Sequence, residues 1–196
     1  GGAGGNDKKE LTRQYMQAVL DQREKYGKPM ISILNHPNFS DAITIEEALS
    51  VDIIRFFEVF NGHPSVHNWG HEGKGYPSTD KYWGVVMSMK LLKEPGYILY
   101  GVATDDAHDY HVMGKGANPG RGWVMVNAPE LTADALVSAM EQGNFYASTG
   151  VLLDNIQRSD SGLSFSIKAE PDVIYTTQFF GTHKGFNTDS KPVLDE

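Results

Sequence analysis

Short unbroken apolar runs alternate with amphipathic stretches over residues 7–150. Leu11, Tyr15, Ala18 and Val19 recur at helical intervals after the capping-box pair Asp7 and Glu10, and Gly27 ends the run, which predicts a helix. MISILN (30–35) is an apolar run of the kind that forms a strand covered on both faces, and it ends in His36-Pro37. Thr44 and Glu47 repeat the capping-box spacing over a short helix, and IIRFFEVF (53–60) reads as a second buried strand ending at Asn61-Gly62-His63-Pro64. A Gly- and His-rich loop leads to a helix through Trp83, Val86 and Met87, and YILYGVA (97–103) predicts a third strand. WVMV (123–126) predicts a fourth, followed by a helix from Thr132 to Met140 closed by Gly143 and by a short run, FYAS (145–148).

Strand alternating with helix implies parallel βαβ units in an α/β fold, whose functional groups gather in the loops after the strands' carboxyl ends. His36, Asn61/His63 and Asp106/His108 all stand at such ends, so they are expected to converge although they are far apart in sequence. From Val151 onward the pattern changes. LSFSIKA (163–169) alternates strictly, and VIYTTQFF (173–180), with Gly181 and Gly185, reads as another strand. The expected organisation is therefore 1–150, with a flexible leader over 1–6, and a small antiparallel β extension over 151–196. Four or five strands in 1–150 fall short of the ~8 strands over ~250 residues of a closed parallel barrel, so either the sheet is open or the chain is incomplete.

Composition narrows the chemistry. Seventeen Lys+Arg against 25 Asp+Glu give a formal net charge of −8, which argues against diffuse binding to nucleic acid or anionic lipid. An anionic substrate would need a local positive centre. The chain has no cysteine, so any metal ligands must be His, Asp or Glu. No apolar run reaches the ~18 residues of a membrane span, and no charged-then-apolar leader opens the chain. The expectation is a soluble protein, cytoplasmic, or periplasmic or secreted after removal of a signal.

Three acids and two histidines in Thr104-Asp-Asp-Ala-His-Asp-Tyr-His111 follow directly on a buried strand. Asp106 and His108, at i and i+2, lie on one side of an extended segment and could grip one ion, Zn, Mn or Fe. The same acids could instead be a solvated loop or a helix cap. His36, held extended by Pro37, is a third candidate ligand, or a ring satisfied by nearby backbone. His63, His67 and His71 have helical spacing, but Gly62, Pro64, Gly70 and Gly73 argue against a helix there. His63, nearest the strand end, is the candidate proton donor or substrate contact. Glu58 within IIRFFEVF would either orient a ligand or pair with Arg55. Arg121, in Pro119-Gly-Arg-Gly-Trp123, could clamp an anionic group or sit in solvent. Gly114–Gly120 lacks the features of a nucleotide-binding P-loop.

The ordered set NHPNF, FFEVFNGHP, YGVATDDAH, GWVMVNAPELT and GNFYASTGV resembles the PHP (polymerase and histidinol phosphatase) family of metal-dependent hydrolases, and within it the carbaryl hydrolase-like branch. The resemblance covers roughly residues 14–185 and follows the second half of the family pattern. It implies the C-terminal portion of a distorted TIM-like (β/α)7 barrel with two or three divalent ions at the strands' carboxyl ends, and a β extension after the barrel. It implies that His36, Asp106 and His108 are metal ligands and that Asn61, His63 and Arg121 line the pocket. The implied activity is hydrolysis of a small phosphoester, or of another ester, by metal-activated water. A non-catalytic module that binds a ligand or partner through an incomplete site is the alternative. The family's first motif, an HxH pair and a second His, and its bridging acid have no counterpart here. The expectation is that the N-terminal strands are cleaved, left out of this chain or supplied by a companion chain.

Overall fold

The computed structural model describes residues 8–159, 161–182 and 185. The leader 1–6 and the cap position Asp7 lie outside the described residues. Two compact units divide the chain, Gly1–Val151 and Leu152–Glu196.

The first unit begins with α1, Lys8–Tyr26, which ends at Gly27 with φ 60° as the sequence pattern requires. The helix buries Met16 in the core. Two ion pairs tie its C-terminal side to a later helix: Arg23 to Glu141, and Lys28 Nζ to Asp134 Oδ2 at 2.6 Å. A five-residue helix α2, Ile45–Leu49, has the expected capping box, in which Thr44 accepts from the Glu47 amide and the Glu47 carboxylate accepts from the Thr44 amide.

Strand β1, Phe56–Asn61, pairs in parallel with β2, Tyr100–Thr104, and α3, Thr79–Lys93, connects them. The register shifts between Glu58 and Phe60, a bulge of the kind that re-aims side chains next to functional sites. Ile54, Phe57, Val86, Leu99 and Tyr82 are buried to 1% exposure or less and form the centre of the core between this sheet and α3. The Tyr82 hydroxyl donates to the Thr44 carbonyl at 2.6 Å, so α3 holds the start of α2. Lys90 is also buried. Its ammonium donates to the Val51 carbonyl at 2.6 Å, just past the C-terminus of α2, and burial depresses its pKa.

Several expectations need correction. MISILN does not form a strand ladder: its contact with the sheet is one parallel bridge, Leu34 to Phe57, built from Leu34 N–H to Phe56 O (3.0 Å) and Glu58 N–H to Leu34 O (3.0 Å). Strand β3, Trp123–Val126, pairs antiparallel with β4, Phe145–Ser148, where the alternation of elements implied parallel. The physical reason is local. Asn127 N–H donates to the Asn144 carbonyl at 2.8 Å, so the chain returns to the point where it left β3, and α4, Ala133–Glu141, is an excursion from a hairpin. Of the second predicted strand, Ile53 lies in a turn and residues 54–55 lead into β1 without regular structure.

The described residues thus form mixed helix and strand with three two-stranded sheets and no closed barrel. In the second unit, β5 (Leu153–Ser159) and β6 (Gly162–Ile167) make an antiparallel hairpin. The segment 173–180 is not a strand. No strand among the described residues pairs with it, and Ile174, Phe179 and Phe180 are exposed. Among the described residues, no helix is long and apolar enough to cross a membrane.

Candidate functional site

Two non-glycine residues after strand-like segments adopt the left-handed region, His36 (φ 25°) and Asp106 (φ 47°). Such conformations cost free energy and persist where surrounding contacts impose them. The contacts here converge on one buried carboxylate. Glu58, 1% exposed, accepts through Oε2 from the His36 amide at 2.5 Å and from Asn61 Nδ2 at 3.0 Å. Its Oε1 accepts from the Thr104 hydroxyl at 2.5 Å. Glu58 therefore joins the end of the MISILN segment, the end of β1 and the end of β2. It does not pair with Arg55, whose Nη2 lies 3.0 Å from Glu94 Oε1.

Asn61 extends the network. Its Nδ2 also donates to Asp106 Oδ2 at 3.2 Å, and its Oδ1 accepts from the His63 amide at 2.8 Å. Its own backbone is clamped by Asn68, which accepts from Asn61 N–H at 2.9 Å and donates to Asn61 O at 2.7 Å. At 1% exposure the Asn61 side chain does not line the cleft.

Above this network lies a cleft of about 220 Å³ lined by His36, Phe39, His63, Asp106 and His108. All three residues expected to hold metal share it, with the expected proton donor. The rings of His63 and His108 stand edge to face, centroids 5.5 Å apart. Phe39 separates His36 from His63, at 5.5 and 6.3 Å from their centroids.

Hydrogen bonds assign different roles to the rings. His108 Nδ1 lies 2.7 Å from the Asp106 carbonyl, which can only accept, so Nδ1 carries the proton and Nε2 keeps a free lone pair. That is the arrangement of metal-ligating imidazoles, whose second nitrogen donates to a carbonyl or carboxylate. His63 is the reverse. Its Nδ1 accepts from the Ser65 amide at 3.2 Å, so the neutral ring carries its proton on Nε2 and presents a donor. Asp106 Oδ2 is engaged by Asn61, while Oδ1 lies 3.9 Å from His108 Nδ1.

Among the described residues, no three His, Asp or Glu side chains are grouped as a ready-made metal-binding set. The cleft collects donors with suitable chemistry, and closing them on one ion requires side-chain rotation. Arg121 is not a lining residue: its Nη1 donates to the Gly62 carbonyl at 3.0 Å, one residue before His63. His67 and His71 stack at 4.5 Å between centroids, away from the cleft lining. His71 Nδ1 and Lys74 Nζ face the Asp41 carboxylate at 3.3 and 3.1 Å, ion-pair distances without hydrogen-bond alignment. Burial pushes the Asp41 carboxyl up, but Lys74 and His71 outweigh it and hold the carboxyl below its ordinary range.

Sequence reasoning missed Phe39, Thr104 and Asn68. Phe39 stands in the quoted NHPNF and Thr104 just ahead of the acids, so a polar or aromatic residue flanking a candidate ligand was the available signal. Asn68 had none, because its role depends on a loop folding back onto β1. The chain matches no family model, no curated protein and no solved structure.

Proposed function

We propose that the cleft binds divalent metal and that the protein is a metal-dependent hydrolase of small phosphoesters. In this reading the first unit is the C-terminal portion of a (β/α)7 barrel of the PHP kind, completed by strands from an N-terminal portion or a companion chain. The observation that carries the reading is the meeting of His36, Asp106 and His108 in one cleft, with the His108 Nε2 lone pair left free by the Nδ1 bond to Asp106 O.

His36 Nε2 or Nδ1, one Asp106 oxygen and His108 Nε2 would hold the ion, with water completing the set as in sites with three protein ligands. A divalent ion held there would supply Lewis-acid polarisation of the substrate oxygen and a lowered pKa for a bound water. His63, with its proton on Nε2, would donate a hydrogen bond to the leaving oxygen and stabilise the negative charge that develops there. Arg121 contributes through the Gly62 carbonyl, by fixing the turn that carries His63. Phe39 walls the cleft between the His36 and His63 imidazoles.

A second reading is a non-catalytic module that binds a ligand or partner through the same cleft. Elemental analysis of the purified protein, titration with Mn²⁺ and Zn²⁺, and assays on a phosphomonoester, a phosphodiester and a carboxyl ester separate the readings. The hydrolase reading expects at least one ion per chain and turnover of a phosphoester that Asp106→Asn abolishes. Turnover of the carboxyl ester alone moves the substrate away from phosphate. Less than one ion per chain with no turnover favours the binding module. Full activity in Asp106→Asn removes Asp106 from the ligand set.

A further inference from the structure

Three of the four hydrogen-bonding positions on the Asn61 side chain are committed within the protein, to Glu58 Oε2, Asp106 Oδ2 and the His63 amide. The amide cannot be turned the other way, since two carboxylates face Nδ2 and an N–H faces Oδ1. We infer that Asn61 is the positioning residue of the site: it aims Asp106 at the ion and sets the place of the leaving-group donor His63, and it does not touch substrate. This rests on the metal reading of the cleft.

The geometry supports this in three ways. By taking Asp106 Oδ2, Asn61 leaves Oδ1 as the oxygen turned towards the His108 side, and so selects one-oxygen binding by Asp106. The same amide holds the His63 backbone, so a single residue fixes the separation of ligand and proton donor. Finally, Asn61 shares Glu58 Oε2 with the His36 amide, which links the third candidate ligand to the first. Removing a partner that orients a ligand typically costs ~10–100-fold in metal affinity or activity.

The test compares wild type with Asn61→Ala and Asn61→Ser, the second keeping a small polar group where the first could fail to fold. Mn²⁺ affinity is measured by calorimetry, and kcat and KM are measured with an aryl phosphate. The expected result is Mn²⁺ binding weaker by about 10–100-fold and a lowered kcat, with KM at saturating Mn²⁺ within about threefold of wild type. A raised KM with unchanged Mn²⁺ affinity makes Asn61 a substrate contact and overturns the inference. Lost stability with unchanged Mn²⁺ affinity in the folded variant makes it merely structural and overturns it as well. Wild type that binds no Mn²⁺ overturns the metal reading itself, and this inference with it.

Discussion

Glu58 shows what one buried carboxylate does when its environment consists of donors. Three groups donate to it, from the His36 amide, Asn61 and Thr104. Deleting the carboxylate leaves the part-buried His36 amide and Thr104 hydroxyl without this acceptor and Asn61 with Asp106 alone, which costs more than the net value of the bonds. Glu58→Ala is therefore expected to lower unfolding free energy by about 3–5 kcal/mol. Glu58→Gln behaves differently. Its carbonyl can keep the His36 and Asn61 bonds, and its amide can donate to the Thr104 hydroxyl, which accepts as readily as it donates. The expected loss is about 1 kcal/mol. Urea unfolding of both variants checks the pair, and equal losses would mean that volume rather than hydrogen bonding is what Glu58 supplies. From sequence Glu58 stood out as an acid in an apolar strand, which marked it as unusual. Its partners were invisible, because Thr104 lies 46 residues away and the candidate cation, Arg55, turned outward to Glu94.

At the scale of elements, the site depends on how closely the loop 119–122 can cross the ends of β1 and β2. A Cβ at Gly122 would lie 2.5 Å from the Thr104 carbonyl oxygen and 3.0 Å from the Phe60 ring, and one at Gly62 would lie 2.6 Å from Arg121 Cβ. Neither glycine needs a left-handed backbone, so close approach alone explains them. Gly122→Ala must push β3 away from Thr104, whose hydroxyl holds Glu58. The expectation is a loss of about 2–4 kcal/mol, in the range of overpacked or strained sites. Amide hydrogen exchange should localise the loosening to β2 and β3 and leave α1 protected, whereas uniform loss across the unit would contradict it. Local elements were legible in the sequence because their signals are local: the Thr44–Glu47 box, Gly27 and the helix expected over 132–140, observed as Ala133–Glu141, all lie within a residue of where the pattern put them. Pairing was less legible. The antiparallel return of β4 depends on the Asn127–Asn144 bond, and no periodicity distinguishes a crossover from an excursion when both contain one helix. The strand expected over 173–180 failed for a similar reason, since alternation describes a face without naming the neighbour that would cover it.

For the molecule as a whole, charge sets the response to acid. With a net charge of −8, protonating exposed carboxylates from neutral pH downward first relieves repulsion, so mild acid should cost little stability. Asp41 adds a contribution at the acid end. Its carboxylate joins the turn after His36 to the loop that carries His63, through His71 and Lys74, and its folded pKa lies below the ordinary 3.8. A depressed carboxyl pKa stabilises the fold at every pH above its unfolded value, and that contribution disappears as the pH falls through the folded one. The window therefore opens below 3.8 and runs downward from there. Asp41→Asn removes the charge, and asparagine tolerates the residue's φ of 52°. Urea midpoints for the two proteins, measured between neutral pH and the onset of acid unfolding, should differ above this window, with wild type more stable, and converge within it. Because the clasp spans the two segments that carry His36 and His63, divalent-metal affinity of the folded Asp41→Asn protein at neutral pH should also fall. A stability gap independent of pH would assign the clasp to packing, and unchanged metal affinity would detach it from the cleft.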